Sequence, residues 1–118
     1  MMYIVRLSLF VLAFGAASSV FAHARLQTSD PQNGANVAAP SSITLHYNEP
    51  VEAAMSNVKL FGPDNAAVET GSPATRESDD TTLVTTLPKL SAGAYRLEWS
   101  TMGHDGHHTK GELRFTVK

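Results

Sequence analysis

Histidine is the residue type whose positions in this 118-residue sequence most suggest chemistry. Three of the five histidines lie in one short stretch, Gly103-His-Asp-Gly-His-His108. Asp-Gly favours a tight turn, and alternate residues of an extended chain point to one side, so Asp105 and His107 can face a common ligand. A carboxylate beside an imidazole would supply two ligands of a metal site. The alternative is a polar loop with solvated histidines, and a short His-rich tract is compatible with both.

A fourth histidine, His23, gains chemical interest because of the segment that precedes it. Residues 1–22 combine one basic residue, a short apolar run and a small-residue end, which are the three parts of a secretory signal peptide. Cleavage after Ala22 and cleavage after Ala24 both satisfy the small-residue rule. The first leaves His23 as the new N-terminus, whereas the second removes it. The apolar run is shorter than the roughly 20 residues of a membrane-spanning helix, so we expect the mature chain to have no membrane span after either cut.

An N-terminal histidine offers a metal two nitrogens, its α-amine and its imidazole Nδ1. The α-amine has a reference pKa of about 7.7–8.0, so a metal can displace its proton near neutral pH. Nitrogens from His23 and His107 with an oxygen from Asp105 form a set that suits copper(II), which has the highest affinity in the divalent series. Zinc is the main competitor but prefers a tetrahedral site, and the absence of sulfur ligands disfavours copper(I).

The elements that must position these groups are predicted to be strands. Several segments alternate apolar and polar residues or are rich in β-branched residues, and turn residues separate them: 43–47, 57–61, 81–87, 94–100 and 113–117, with weaker candidates at 24–28 and 67–70. Roughly seven short strands in about a hundred residues predict an all-β, immunoglobulin-like β-sandwich of Greek-key type. With the cut after Ala22, residues 23–118 form one domain in this prediction.

Two aromatic residues of the 94–100 segment support the sandwich interpretation. Tyr95 follows a Gly-containing turn at the start of a late strand, which is typical of a tyrosine corner. Trp99 has the phase of a core residue. The polar run 75–82, by contrast, is predicted to be a solvated loop.

Composition excludes several classes of function. Without residues 1–22, the chain has eight Lys and Arg against eleven Asp and Glu, and this mildly acidic domain lacks the basic cluster that binds nucleic acid. It has no cysteine, so neither disulfides nor a thiolate metal site can form. The sequence contains no nucleophile elbow, phosphate-binding Gly-rich loop or H-E-x-x-H motif, and we therefore expect no enzyme.

The mature sequence resembles the CopC family of periplasmic copper-resistance proteins, including its YobA-type members. The resemblance covers essentially the whole of residues 23–118. It rests on fragments that are weak singly and specific in this order: His23-Ala-Arg-Leu-Gln-Thr-Ser-Asp-Pro-Gln-Asn-Gly34, Ile43-Thr-Leu-His-Tyr-Asn-Glu49, Gly93-Ala-Tyr-Arg-Leu-Glu-Trp99, Asp105-Gly-His107 and Gly111-Glu-Leu-Arg-Phe-Thr-Val117.

The resemblance implies a small β-sandwich, cleavage immediately before His23 and a copper(II) site formed by His23, Asp105 and His107. Glu49 falls where some members place an acidic residue near copper, and it is a weaker axial or second-sphere candidate; the alternative is an exposed carboxylate at a strand end. The implied function is copper storage, buffering or transfer in the periplasm by a monomer, with a CopD-type inner-membrane protein as a possible partner.

One departure from the family concerns copper(I). Some members hold copper(I) in a Met-rich loop, but the mature chain contains only Met55 and Met102, and the corresponding stretch, residues 61–72, has neither Met nor His. The sequence therefore predicts the type that has a copper(II) site alone.

Two other functions compete with this interpretation. A histidine brace also occurs in copper polysaccharide monooxygenases, but those enzymes need an open coordination position and a flat aromatic surface. An immunoglobulin-like interaction module without metal would make the histidines incidental. His46, in mid-strand, is expected to be structural or exposed, and His104 and His108 are expected to be mostly solvated.

Overall fold

The computed structural model describes residues 23–118, and the predicted signal peptide, residues 1–22, lies outside the described residues. No helix within 23–118 is long and apolar enough to cross a membrane. The described chain forms one short 3₁₀ helix, Ala53–Met55, and nine strands: β1 (Leu26–Asp30), β2 (Asn36–Val37), β3 (Ser42–Tyr47), β4 (Asn57–Phe61), β5 (Ala67–Val68), β6 (Ala74–Arg76), β7 (Asp79–Thr86), β8 (Gly93–Met102) and β9 (His108–Val117).

The strands form two sheets that face one another across a single core. The first sheet has the order β1-β3-β7-β6 and the second the order β2-β9-β8-β4-β5. All pairs are antiparallel except β2 with β9. Seven of the nine described strands have three or more residues, which agrees with the prediction of about seven strands and confirms the all-β sandwich.

The core arises from the alternation that the sequence displays. Ile43, Leu45 and Tyr47 are buried on β3, and Tyr95, Leu97 and Trp99 on β8, while the residues between them are only partly buried. Successive side chains of a strand point to opposite faces, so each sheet turns one apolar face inward. The Tyr47 and Trp99 rings meet edge to face with centroids 5.4 Å apart, and they join the two sheets near the ends of β3 and β8.

The predicted tyrosine corner is confirmed. The Tyr95 hydroxyl donates a hydrogen bond to the backbone carbonyl of Ser91 at 2.7 Å, at the entrance to β8. Trp99 is buried, as its phase in the sequence predicted.

The prediction of a solvated loop over residues 75–82 is wrong. The segment forms a hairpin in which Arg76 pairs with Asp79, and Ser78 in the turn has a φ of +62°. Strand β6 lies at the edge of its sheet and buries little, so it carries no apolar alternation by which a strand could have been recognised.

Replacing Tyr47 with Phe is expected to stabilise the protein. The Tyr47 hydroxyl is buried and has no hydrogen-bond partner among the described residues, and burial raises the pKa of the phenol. An unsatisfied buried polar group costs about 1–3 kcal/mol. The free energy of unfolding of the variant should therefore exceed that of the wild type by about 1 kcal/mol at neutral pH. Urea unfolding followed by circular dichroism measures the difference.

The stability difference between the Tyr47→Phe variant and the wild type should increase at alkaline pH. The unfolded chain ionises Tyr47 near pH 10, whereas the folded chain keeps it protonated, so the wild type loses stability as the pH rises above about 10 and the Tyr47→Phe variant loses less. Tyr95→Phe is the matched control and should destabilise, because that hydroxyl has a backbone partner. A Tyr47→Phe variant no more stable than the wild type at neutral pH would show that the hydroxyl has a partner in solution.

Candidate metal centre

The connection between β8 and β9 is a tight turn that ends the longest hairpin of the fold. The Gly103 amide donates to the His107 carbonyl at 3.0 Å, and the Gly106 amide donates to the Gly103 carbonyl at 3.0 Å. Gly106 has a φ of +82°, a left-handed conformation that glycine adopts without steric cost. The predicted Asp-Gly turn is therefore present, at one end of the sandwich.

The Asp105 carboxylate makes two contacts with His107 within this turn. Its Oδ1 accepts the His107 backbone N–H at 3.0 Å, and its Oδ2 lies 3.0 Å from His107 Nδ1. A side chain at position 103 would place its Cβ 2.9 Å from Asp105 Oδ1, so glycine at 103 leaves room for the carboxylate. The backbone hydrogen bond from His107, followed by the side-chain one, holds the pKa of Asp105 below its usual range. The carboxyl is therefore ionised at neutral pH.

The segment that leads into β1 brings His23 to the same end of the molecule. Ala24 is only 1% exposed and belongs to the hydrophobic core. Its carbonyl accepts a hydrogen bond from Thr109 Oγ1 at 2.9 Å. Arg25 is held by Asn48 through two bonds, from the Arg25 amide to Asn48 Oδ1 at 2.6 Å and from the Asn48 amide to the Arg25 carbonyl at 3.1 Å.

His23, Asp105 and His107 form a compact, exposed cluster. The His23 and His107 rings meet edge to face with centroids 4.7 Å apart, and one ligand atom from each of the three residues lies within 4.8 Å of the other two. Two ligands about 2.0–2.1 Å from one ion lie no more than roughly 4 Å apart, so small side-chain rotations bring the three atoms to bonding distance. Two imidazoles and an ionised carboxylate fit a borderline divalent cation.

The backbone nitrogen of His23 adds to this set only after cleavage. In the full chain it is the amide of the bond to Ala22, whereas in a chain that begins at His23 it is an amine with a lone pair for a metal.

Glu49, the weaker sequence candidate, lies half-buried directly after Asn48. It is not one of the three clustered residues, which are the group found among residues 23–118 that could hold a metal ion. His104 lies in the turn beside the cluster, where its Nε2 is 3.3 Å from Glu52 Oε1, and both side chains are about half exposed. His108 is exposed at the start of β9.

His46 is partly buried on the other sheet, where its Nδ1 lies 2.9 Å from Thr82 Oγ1. The Thr82 hydroxyl in turn donates to Asp79 Oδ2 at 2.8 Å. Hydrogen bonds from the Thr81 and Thr82 side chains lower the pKa of Asp79. This chain of contacts gives His46 a structural setting outside the cluster of His23, Asp105 and His107, in agreement with its expected structural or surface role.

Three residues that support the site were missed in the sequence: Ala24, Asn48 and Thr109. Each takes part in a hydrogen bond that has a backbone group on at least one side, and none belongs to a pattern of spacing. Thr109 alone carried a local signal, because it directly follows the histidine-containing stretch.

Comparison with known proteins gives one consistent result. A family model described as "CopC domain" matches residues 26–118, which include Asp105 and His107 and begin three residues after His23. Protein YobA of Escherichia coli K12 is 40% identical over 102 residues, covering 85% of this chain and 82% of the relative. Copper resistance protein C of Xanthomonas campestris pv. juglandis is 34% identical over 114 residues, covering 92% and 90%.

The fold has the same relatives. The crystal structure of CopC from Methylosinus trichosporium OB3b superposes with a TM-score of 0.77 at 26% identity, over 81% of this chain and 94% of that one. The likeness therefore spans nearly the whole described sandwich and both sheets.

Proposed function

Because the chain belongs to the CopC family, we propose that it binds a copper(II) ion and stores, buffers or passes on copper in the periplasm. His23 would bind the ion through its amine and Nδ1, and Asp105 and His107 through one side-chain atom each. Glu49 is a weaker contributor that would act from outside this group of three.

The observation that carries the proposal is the meeting of His23 with Asp105 and His107. The ligand atoms come from opposite ends of the sequence and lie within 4.8 Å of one another. Asp105 and His107 already contact one another, with Asp105 Oδ2 3.0 Å from His107 Nδ1, so small side-chain rotations can turn both toward one ion.

Cleavage after Ala22, which creates the N-terminal histidine, has structural support. Cleavage after Ala24 would remove a core residue and the carbonyl that Thr109 binds. The domain therefore needs the chain from Ala24 onward, and the cut that preserves it also keeps His23. We propose that residues 1–22 are the signal peptide and residues 23–118 the mature domain.

The donor chemistry favours copper(II) over its competitors. The proposed ligands are nitrogen and oxygen only, and copper(II) binds such sets more tightly than the other divalent first-row ions. Zinc prefers tetrahedral closure, and copper(I) prefers sulfur. Bound copper would supply no reaction in this proposal, because it is the cargo of the protein.

The exposure of the three ligands favours exchange over permanent retention. His23, Asp105 and His107 are all exposed, so an ion can enter or leave without opening the core. A monomer that presents its cargo at one end of the sandwich can hand it to a partner directly. A CopD-type inner-membrane protein is the partner we propose.

A titration of the chain beginning at His23 with copper(II), followed by electron paramagnetic resonance (EPR), tests the proposal. We expect one ion per chain, a tetragonal spectrum with nitrogen and oxygen ligands, and binding that excess zinc does not displace. Absence of saturable binding would leave an immunoglobulin-like module without metal and would refute the proposal.

A further inference from the structure

The two parts of the metal-binding cluster are carried by different sheets. His23 precedes β1, which pairs with β3 in the four-stranded sheet. Asp105 and His107 lie in the turn between β8 and β9 of the five-stranded sheet. Each sheet is held together by its own backbone ladder, so neither ladder fixes the distance between His23 and the other two residues.

The hydrogen bonds of Ala24 and Arg25 connect the N-terminal segment to different sheets. Asn48 directly follows β3, so its two hydrogen bonds to Arg25 tie the segment to the sheet to which β1 already belongs. Thr109 is the second residue of β9, and its hydroxyl bond to the Ala24 carbonyl at 2.9 Å crosses from the five-stranded sheet to the segment that leads into β1. This bond therefore connects the two parts of the cluster.

The position of Thr109 along the chain makes this connection short on both sides. Thr109 is two residues from His107, and Ala24 is adjacent to His23. Ala24 is also buried, with its methyl group close to Gly103 at the base of the same turn. Only one or two residues separate each end of this hydrogen bond from a histidine of the cluster, so a displacement at the bond also displaces His23 or His107.

We infer that Thr109 is a positioning residue, whose hydroxyl sets His23 against Asp105 and His107 and so preorganises the metal site. The inference rests on the proposed copper function for its effect on affinity. Its effect on the N-terminal segment stands independently of copper. Outer-shell partners that orient metal ligands commonly contribute a factor of about 10–100 in metal affinity.

Replacing Thr109 with Val tests this role, because valine keeps the shape of threonine and removes the donor. In the chain that begins at His23, Thr109→Val should lower copper(II) affinity about tenfold and broaden the EPR hyperfine lines, since the ligands no longer have one defined arrangement. Thr109→Ser retains the hydroxyl and should restore affinity to within about threefold of the wild type.

Thr101→Val is the matched control for loss of a hydroxyl on the same pair of strands. Thr101 is the cross-strand partner of Thr109, and its fully buried hydroxyl contacts Ser56 Oγ at 2.7 Å instead of the N-terminal segment. We expect Thr101→Val to lower the melting temperature and to leave copper affinity within about threefold of the wild type. A purely structural role of Thr109 would give both variants the same profile.

A measurement on the metal-free proteins separates this inference from the copper proposal. Backbone ¹⁵N relaxation should show greater motion at Ala24 and Arg25 in Thr109→Val, and no change there in Thr101→Val. Unchanged copper affinity with unchanged motion in Thr109→Val would overturn the inference. If the wild type itself did not bind copper, the proposed function would fall, and the relaxation data alone would decide whether Thr109 fixes the segment.

Discussion

A chain that carries one extra residue before His23 will bind copper(II) on the order of 10²–10³-fold more weakly than the chain that begins at His23. The extra residue turns the amine into an amide and removes one ligand together with its chelate ring. Structural sites with four ligands bind zinc with about 10–16 kcal/mol, or about 2.5–4 kcal/mol per ligand, and each 1.4 kcal/mol is a factor of about ten.

The comparison needs a chain of equal length whose terminus is otherwise undisturbed. Adding the extra residue at the C-terminus, after Lys118, provides this control, because that end lies beyond the last residue of β9. The competition titration should then show wild-type affinity for the control and the large loss for the N-terminal addition. Equal affinity in all three chains would move the copper site away from the N-terminus and into the turn of residues 103–107.

Replacing His107 with Ala will also weaken copper(II) binding on the order of 10²–10³-fold, because it removes one nitrogen ligand from the proposed set. The EPR spectrum should lose one nitrogen from its coordination sphere. The apoprotein should keep its stability to within about 0.5 kcal/mol, because the exposed side chain lies in a surface turn. Isothermal titration and thermal unfolding measure the two effects.

His108→Ala is the matched control, since this neighbouring histidine is also exposed and lies outside the cluster. It should change copper affinity by no more than about threefold. A loss in His108→Ala as large as in His107→Ala would assign the binding to the histidine-rich stretch as a whole and contradict a defined three-residue site.

The parts of the fold that could be predicted are those with one buried face. Strands β3, β4 and β8 display their apolar alternation in the sequence, and the structure has them where expected, within two residues. Strand β9 is longer than the predicted segment, because its first half buries little. At Gly111 a Cβ would lie 2.6 Å from the Trp99 ring, so the strand carries glycine where the pattern calls for an apolar side chain.

The site, like the fold, could be predicted from the sequence only in part. The Asp-Gly turn and the pairing of Asp105 with His107 follow from local chemistry, and both are present. The approach of His23 was expected from ligand chemistry and from the family resemblance, and it could not have come from spacing, because the contact joins opposite ends of the chain. The hydrogen bond from Thr109 to Ala24 could not be predicted, because a hydroxyl that binds a distant carbonyl produces no recognisable pattern in a sequence.

The separation of the ligands between two sheets also has a consequence for folding. The protein has no cysteine and thus no covalent cross-link. A copper ion held by His23 and His107 would join two residues that meet only while the two sheets are folded against one another. Binding to the folded state alone adds about 2.7 kcal/mol of stability at a ligand concentration of 100 times Kd, so the loaded protein should resist heat and proteolysis better than the empty one. Bound copper would then stabilise the fold reversibly, and an exported chain without copper would be the form most readily degraded.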